Sequence, residues 1–139
     1  REMQDVSFND DLINIKFGFD KKGQPNMVAF NRLSTRYLKG EIDSYYIISI
    51  DGKTNNVTLF DLYQQLPYTN YNVGTGQVML KEKQFFSQFD QSKDYSISKY
   101  TIINTMRQMK LQSHKDHVKL KEEQLKKSLE LFDKTLSQY

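Results

Sequence analysis

From Ser98 to Leu136 the chain contains neither glycine nor proline. A stretch this long without a helix breaker has few ways to fold, because glycine and proline are the residues that interrupt helices most effectively. Ile102, Met106 and Met109, then Val118, Leu125, Leu129, Phe132 and Leu136, form an apolar stripe near heptad spacing. The pattern predicts one or two long helices, with a break expected around Gln112-Ser113-His114 if there are two. A stripe of this kind packs on its own domain or on a second helix, and its length favours a second copy of the chain, a homodimer.

The rest of the chain reads as strands first. Asp5 to Phe8 alternates, Asn9-Asp10-Asp11 supplies turn chemistry, and Leu12 to Phe17 runs as a second strand, together predicting a β-hairpin. Gly18 to Gln24 is expected as a loop. Pro25 and Asn26 are helix start signals; Met27, Phe30, Leu33 and Tyr37 follow at helical spacing, and Gly40 stands where a C-terminal glycine belongs. Asp43 to Ile50 is nearly continuous apolar and aromatic sequence, which predicts a central strand covered on both faces. Val57 to Phe60 predicts a further strand. Asp61 to Leu66 reads as a helical turn stopped by Pro67, Tyr68 to Gly76 as loop, and order resumes at Gln77 to Leu80 and, as helix, at Lys83 to Phe89. The expected fold class is α/β, a mixed β-sheet with flanking helices and a long C-terminal helical segment. An α/β core over residues 1–92 would be followed by a helical segment over 93–139, used for packing or dimerisation. The abrupt entry into a strand pattern predicts further sequence upstream.

Composition narrows the function classes. The chain has 139 residues, with 13% aromatic and 27% charged, enough for one domain with a real core. It has no cysteine, which excludes a disulfide scaffold and a thiolate metal site and fits a cytoplasmic setting. No apolar run approaches the roughly 20 residues that span a bilayer, so no membrane partner is expected. The net charge of +3 is mild and both signs are interspersed, so any case for nucleic acid must come from local patterns.

The first hairpin supplies one. Asn14 and Lys16 share one face of the second strand because side chains alternate with period two, and the hairpin turn brings Asp5 beside them. Phosphodiester hydrolysis uses a hard cation such as Mg²⁺, held by one or two carboxylates and waters, together with a positive group near the attacking water. Asp5, a turn, Asn14-Ile15-Lys16, a helix and then a buried strand resemble the catalytic half of the PD-(D/E)xK nuclease superfamily. The likeness to type II restriction enzymes runs from Leu12 to Ile50, above all in Ile13-Asn14-Ile15-Lys16-Phe17 and in Arg36 to Tyr46. It implies a restriction-endonuclease-like core and a Mg²⁺-dependent endonuclease hydrolysing double-stranded DNA. Asp5 would be the metal-binding residue and Lys16 the motif lysine, with Asn14 between them completing the catalytic set. Two positions depart from the family pattern. Gln4 stands where proline is frequent, and Asn14 where Glu or Asp is usual, leaving Asp11, Glu41 or Asp43 to supply a second carboxylate. An inactive nuclease fold, or a non-catalytic assembly module built on the long helix, is the competing expectation.

Other residues extend the DNA reading. Arg32, Thr35, Arg36 and Lys39 occupy the polar faces of one predicted helix, where Arg32, Arg36 and Lys39 would contact phosphates or simply face solvent. Asn72 and Gln77 lie in a polar stretch whose amides can pair with adenine edges, although a structural turn explains the same residues. Its Gly74-Thr75-Gly76 is no phosphate loop, because no Lys-Ser/Thr follows. His114 and His117, three apart on a helix, lack an obvious third metal ligand.

Overall fold

A computed structural model describes residues 6–8, 11–18, 26–51, 55–81, 89–90 and 92–139. In chain order the elements are β1 (Val6–Phe8), β2 (Asp11–Gly18), β3 (Asn26–Ala29), α1 (Phe30–Leu38), β4 (Tyr46–Asp51), β5 (Val57–Asp61), a 3₁₀ helix (Leu62–Tyr68), β6 (Thr69–Asn72), β7 (Gln77–Leu80) and α2 (Lys99–Leu136). The predicted helix over Lys83 to Phe89 falls, except for Phe89, outside the described residues.

The fold is of the α/β class with a long C-terminal helix. The first sheet is mixed, in the order β1-β2-β4-β5. β1 and β2 form the expected antiparallel hairpin, with Val6↔Ile13 and Phe8↔Asp11 in register. β4 then lies parallel to β2, from Ile13↔Tyr46 to Gly18↔Asp51, and β5 returns antiparallel beside it. A parallel neighbour requires a crossover, and that crossover carries α1. The second sheet is antiparallel, in the order β3-β7-β6.

Two segments differ from the sequence pattern. Asn26–Ala29 is a strand, and the helix begins only at Phe30. Helical spacing held locally, but pairing with β7, which includes a bulge between Asn26 and Val28, wins over it. Tyr68 to Gly76 is not loop throughout: Thr69–Asn72 is a strand of a tight hairpin with β7, turning through residues 73–76. Gly40 is as expected, closing α1 at φ +73°, a conformation in which an L side chain is strained.

The core lies where α1, the 3₁₀ helix and the first turns of α2 meet both sheets. Phe30, Leu33 and Tyr37 supply one face of α1, Tyr45, Ile47 and Phe60 come from β4, its entry and β5, and Ile102 and Met106 come from α2. Each such side chain gains about 1.5–3 kcal/mol on burial. β4 is central in hydrogen bonding, but the described residues cover its two faces unequally, where its apolar run predicts cover on both. Ile47 is buried, whereas Ile48 and Ile50 are half-buried, and the two sheet neighbours of Ile48, Ile15 and Leu59, are 42% and 44% exposed.

α2 is one unbroken helix of 38 residues. Ser98 caps it, its hydroxyl oxygen accepting from the Thr101 N–H at 3.1 Å. Of the one or two helices that the pattern allows there is one: Ser113 is buried and donates its hydroxyl to the Lys110 carbonyl at 2.7 Å, inside a continuous helix. Among the described residues no helix is long and apolar enough to cross a membrane.

Candidate nucleic-acid and metal site

The hairpin and crossover fix the positions of the motif residues by register. Asn14 pairs with Ile47 and Lys16 with Ser49, and Ser49 pairs in turn with Thr58 of β5. Lys16, Ser49 and Thr58 therefore form one row across the mixed sheet, and both Ser49 and Thr58 are half-buried. Asp5 lies outside the described residues, as do the side chains of Asn14 and Lys16.

The residues considered as substitute carboxylates gather elsewhere. Asp11 opens β2 opposite Phe8, five positions before Lys16, or roughly 16 Å at strand rise. Glu41 and Asp43 precede Tyr46, whereas Lys16 is in register three residues beyond it, about 10 Å along β4. All three sit at the starting end of the parallel pair and Lys16 toward its far end. By register, therefore, all three are set apart from Lys16 along the sheet.

Glu41 and Asp43 instead line a groove of about 440 Å³ with Tyr37, Ile42, Ser44 and Lys99. The Arg36 Nε is 3.3 Å from Glu41 Oε2, so this arginine is held against its own loop. The Lys99 ammonium lies 5.9 Å from the centroid of the Tyr37 ring. Burial pushes the Tyr37 hydroxyl pKa up, and the negative charges of Asp43 and Asp61 add to the effect. No sequence signal links Lys99 to Tyr37. Only the docking of α2 brings them together.

The proposed DNA contacts divide between the two ends of α1. Arg32, Arg36 and Lys39 follow one another at spacings of four and three, a single helix stripe, with Arg32 and Lys39 exposed and Arg36 half-buried. Asn72 and Gln77 pair with each other at the base of the β6–β7 turn. The Asn72 side-chain oxygen accepts from the Gly74 N–H at 2.9 Å, and its main-chain carbonyl accepts from Gly76 at 2.7 Å. The carbonyl of Gly76 accepts in turn from the Phe30 N–H at 3.0 Å, which ties the turn to the start of α1. Lys39 caps the opposite end, roughly 13 Å away at helical rise. Asn72 thus builds its own turn, as Asn commonly does.

His114 is exposed, and His117 shares a 2.7 Å hydrogen bond with the Tyr71 hydroxyl, joining α2 to β6. Among the described residues no group of three or more His, Cys, Asp or Glu is placed to hold a metal ion. No protein-family model matches the chain, and no curated protein matches its sequence.

Proposed function

We propose that the chain is a Mg²⁺-dependent endonuclease acting on double-stranded DNA. The observation that supports this reading is the path of the chain: an antiparallel hairpin, a crossover that carries α1 after the short strand β3, then a strand returning parallel to the second hairpin strand. The Asp5 and Asn14-Ile15-Lys16 resemblance expects hairpin, helix and strand in that order, and β3 is an addition to it. Val6, next in sequence to Asp5, is in register with Ile13, next in sequence to Asn14, with Lys16 two positions further along the chain.

The donor set suits a hard cation. The Asp5 carboxylate and the Asn14 amide carbonyl both offer oxygen, and Mg²⁺ is commonly held by one or two carboxylates with water completing the shell. Bound there, Mg²⁺ would polarise the phosphate and acidify a water. Lys16 would supply a fixed positive charge where the pentavalent phosphate accumulates negative charge, in a row otherwise made of the small hydroxyl residues Ser49 and Thr58. Arg32 and Lys39, exposed along α1, would dock backbone phosphates without reading sequence.

Incubation of the chain with supercoiled plasmid, with and without Mg²⁺, tests the proposal. Nicking or linearisation that needs Mg²⁺ and disappears in Lys16→Ala is the expected result. A plasmid left intact at every Mg²⁺ concentration would remove the nuclease reading.

A further inference from the structure

The apolar stripe of α2 divides between two faces of the helix. Ile102, Met106, Met109 and Ser113 pack toward the domain, with Met106 2% and Ser113 5% exposed. Leu111 lies two residues from Ser113, roughly 200° round the helix. From Leu111 an apolar residue recurs at every seventh position, as Val118, Leu125, Phe132 and Tyr139. Leu129 and Leu136 stand four residues after Leu125 and Phe132, alternating with them as the two seam positions of a coiled coil do. Every residue from Lys121 to Tyr139 is exposed, and Val118, Leu125, Leu129, Phe132 and Leu136 are between 42% and 67% exposed. The core therefore uses one face of α2 and leaves a heptad seam on another.

We infer that this seam pairs with the same seam of a second copy, antiparallel, centred near Lys127. A seven-residue repeat follows a supercoiled helix partner rather than a flat sheet or bilayer, and the charges choose the partner and its direction. The seam positions preceding Leu129 and Leu136 in the same series are Lys115 and Glu122. Parallel pairing in register would stack Lys115 on Lys115 and Glu122 on Glu122, and would set Lys121 beside the partner's Lys126. Antiparallel pairing places Val118 against the partner's Leu136, Leu125 against the partner's Leu129, and Glu122 against the apolar ring of the partner's Phe132. It also sets Lys119 beside the partner's Asp133 twice, by symmetry. Lys126 meets the partner's Lys126 at the two-fold axis, where Glu122 and Glu130, one turn to either side on each helix, offset the like charge. The seam faces away from the domain, so the partner's helix approaches without displacing the core. This pairing holds whether or not the chain cuts DNA.

The absence of cysteine makes the test direct. Sedimentation of the whole chain at micromolar concentration should give twice the chain mass, and the double variant Leu125→Lys, Leu129→Lys should sediment as a monomer with unchanged circular dichroism. For direction, a Val118→Cys chain and a longer, tagged Leu136→Cys chain are mixed and oxidised. Antiparallel pairing yields the mixed disulfide. Disulfides only between like chains would overturn the antiparallel arrangement. A monomeric whole chain, or a dimer that survives the double variant, would overturn the seam itself.

Discussion

The hydroxyl of Tyr63 donates to the main-chain carbonyl of Leu33 at 2.6 Å, fastening the 3₁₀ helix to the middle of α1. Burial, reinforced by the charge of Asp61, raises the pKa of this phenol above its ordinary value of about 10. The folded state then keeps a proton that the unfolded state releases. Stability is unaffected below the ordinary value and declines as pH rises above about 10, toward the folded value. Tyr63→Phe should flatten that alkaline decline, and should cost about 1–3 kcal/mol at neutral pH because the Leu33 carbonyl loses its donor. Urea unfolding followed at neutral and strongly alkaline pH measures both effects.

Asp61 is the second fastening. Its Oδ1 accepts from the Tyr45 N–H at 3.0 Å and the Tyr63 N–H at 3.1 Å, so one carboxylate caps the 3₁₀ helix and secures the entry to β4. Asp61→Ala should destabilise by about 1–2 kcal/mol, the range for losing a cap. Asp61→Asn, which keeps an acceptor oxygen, should lose less. Chemical denaturation of the two variants separates them.

β4 bonds to β2 on one side and to β5 on the other. Amides of Ile47, Ile48 and Ser49 should exchange among the slowest in the molecule, opening only with global unfolding. Exchange at these amides as fast as in the edge strand β6 would contradict the sheet order.

These elements also show what the sequence could disclose. The β1–β2 hairpin and the β4 strand were legible because local alternation and a concentrated apolar run carry their own signal. β3 was not, since Met27 and Phe30 mimic helical spacing and only β7, fifty residues away, makes Asn26–Ala29 a strand. β6 was not legible because Thr69-Asn70-Tyr71-Asn72 is mostly polar, although as an edge strand it buries Thr69 and packs Tyr71 on the core. The seam of α2 was seen, but merged with the core stripe, because periodicity alone does not say which face the domain takes. In the site, alternation put Asn14 and Lys16 on one strand face. No local rule revealed that Glu41 and Asp43 would line a groove with Lys99 at the other end of the parallel pair.

If Asp5 and Asn14 hold Mg²⁺, Asn14→Asp restores the second carboxylate usual in the motif. Mg²⁺ affinity should rise on the order of tenfold, about 1.4 kcal/mol, since ligand charge tunes such sites. Calorimetric titration reads this without reference to cleavage. An unchanged affinity would remove Asn14 from the donor set, while cleavage by the same variant at lower Mg²⁺ would join the metal to the chemistry.

The two halves of α2 should respond differently to mutation. Met106→Ala removes a side chain that is 2% exposed and should cost about 2–5 kcal/mol. Ending the chain after Leu120 removes only residues that are exposed in the single chain and, at concentrations below pairing, should leave the thermal midpoint of the remaining domain nearly unchanged. Thermal melts monitored by circular dichroism distinguish the two.

At helical rise the 38 residues of α2 span about 57 Å, and those from Lys121 onward extend it about 24 Å past its last partly buried residue, Leu120. An object with such a spar is far from spherical. A single chain will drag in solution like a larger particle and leave a gel-filtration column early, so elution volume alone would overstate its mass. Its rotation will be anisotropic too: amide vectors along α2, nearly parallel to the long axis, will show slower relaxation-derived correlation times than those of the two sheets. Closing the antiparallel pair would lengthen the particle further, with a body at each end of a shared rod.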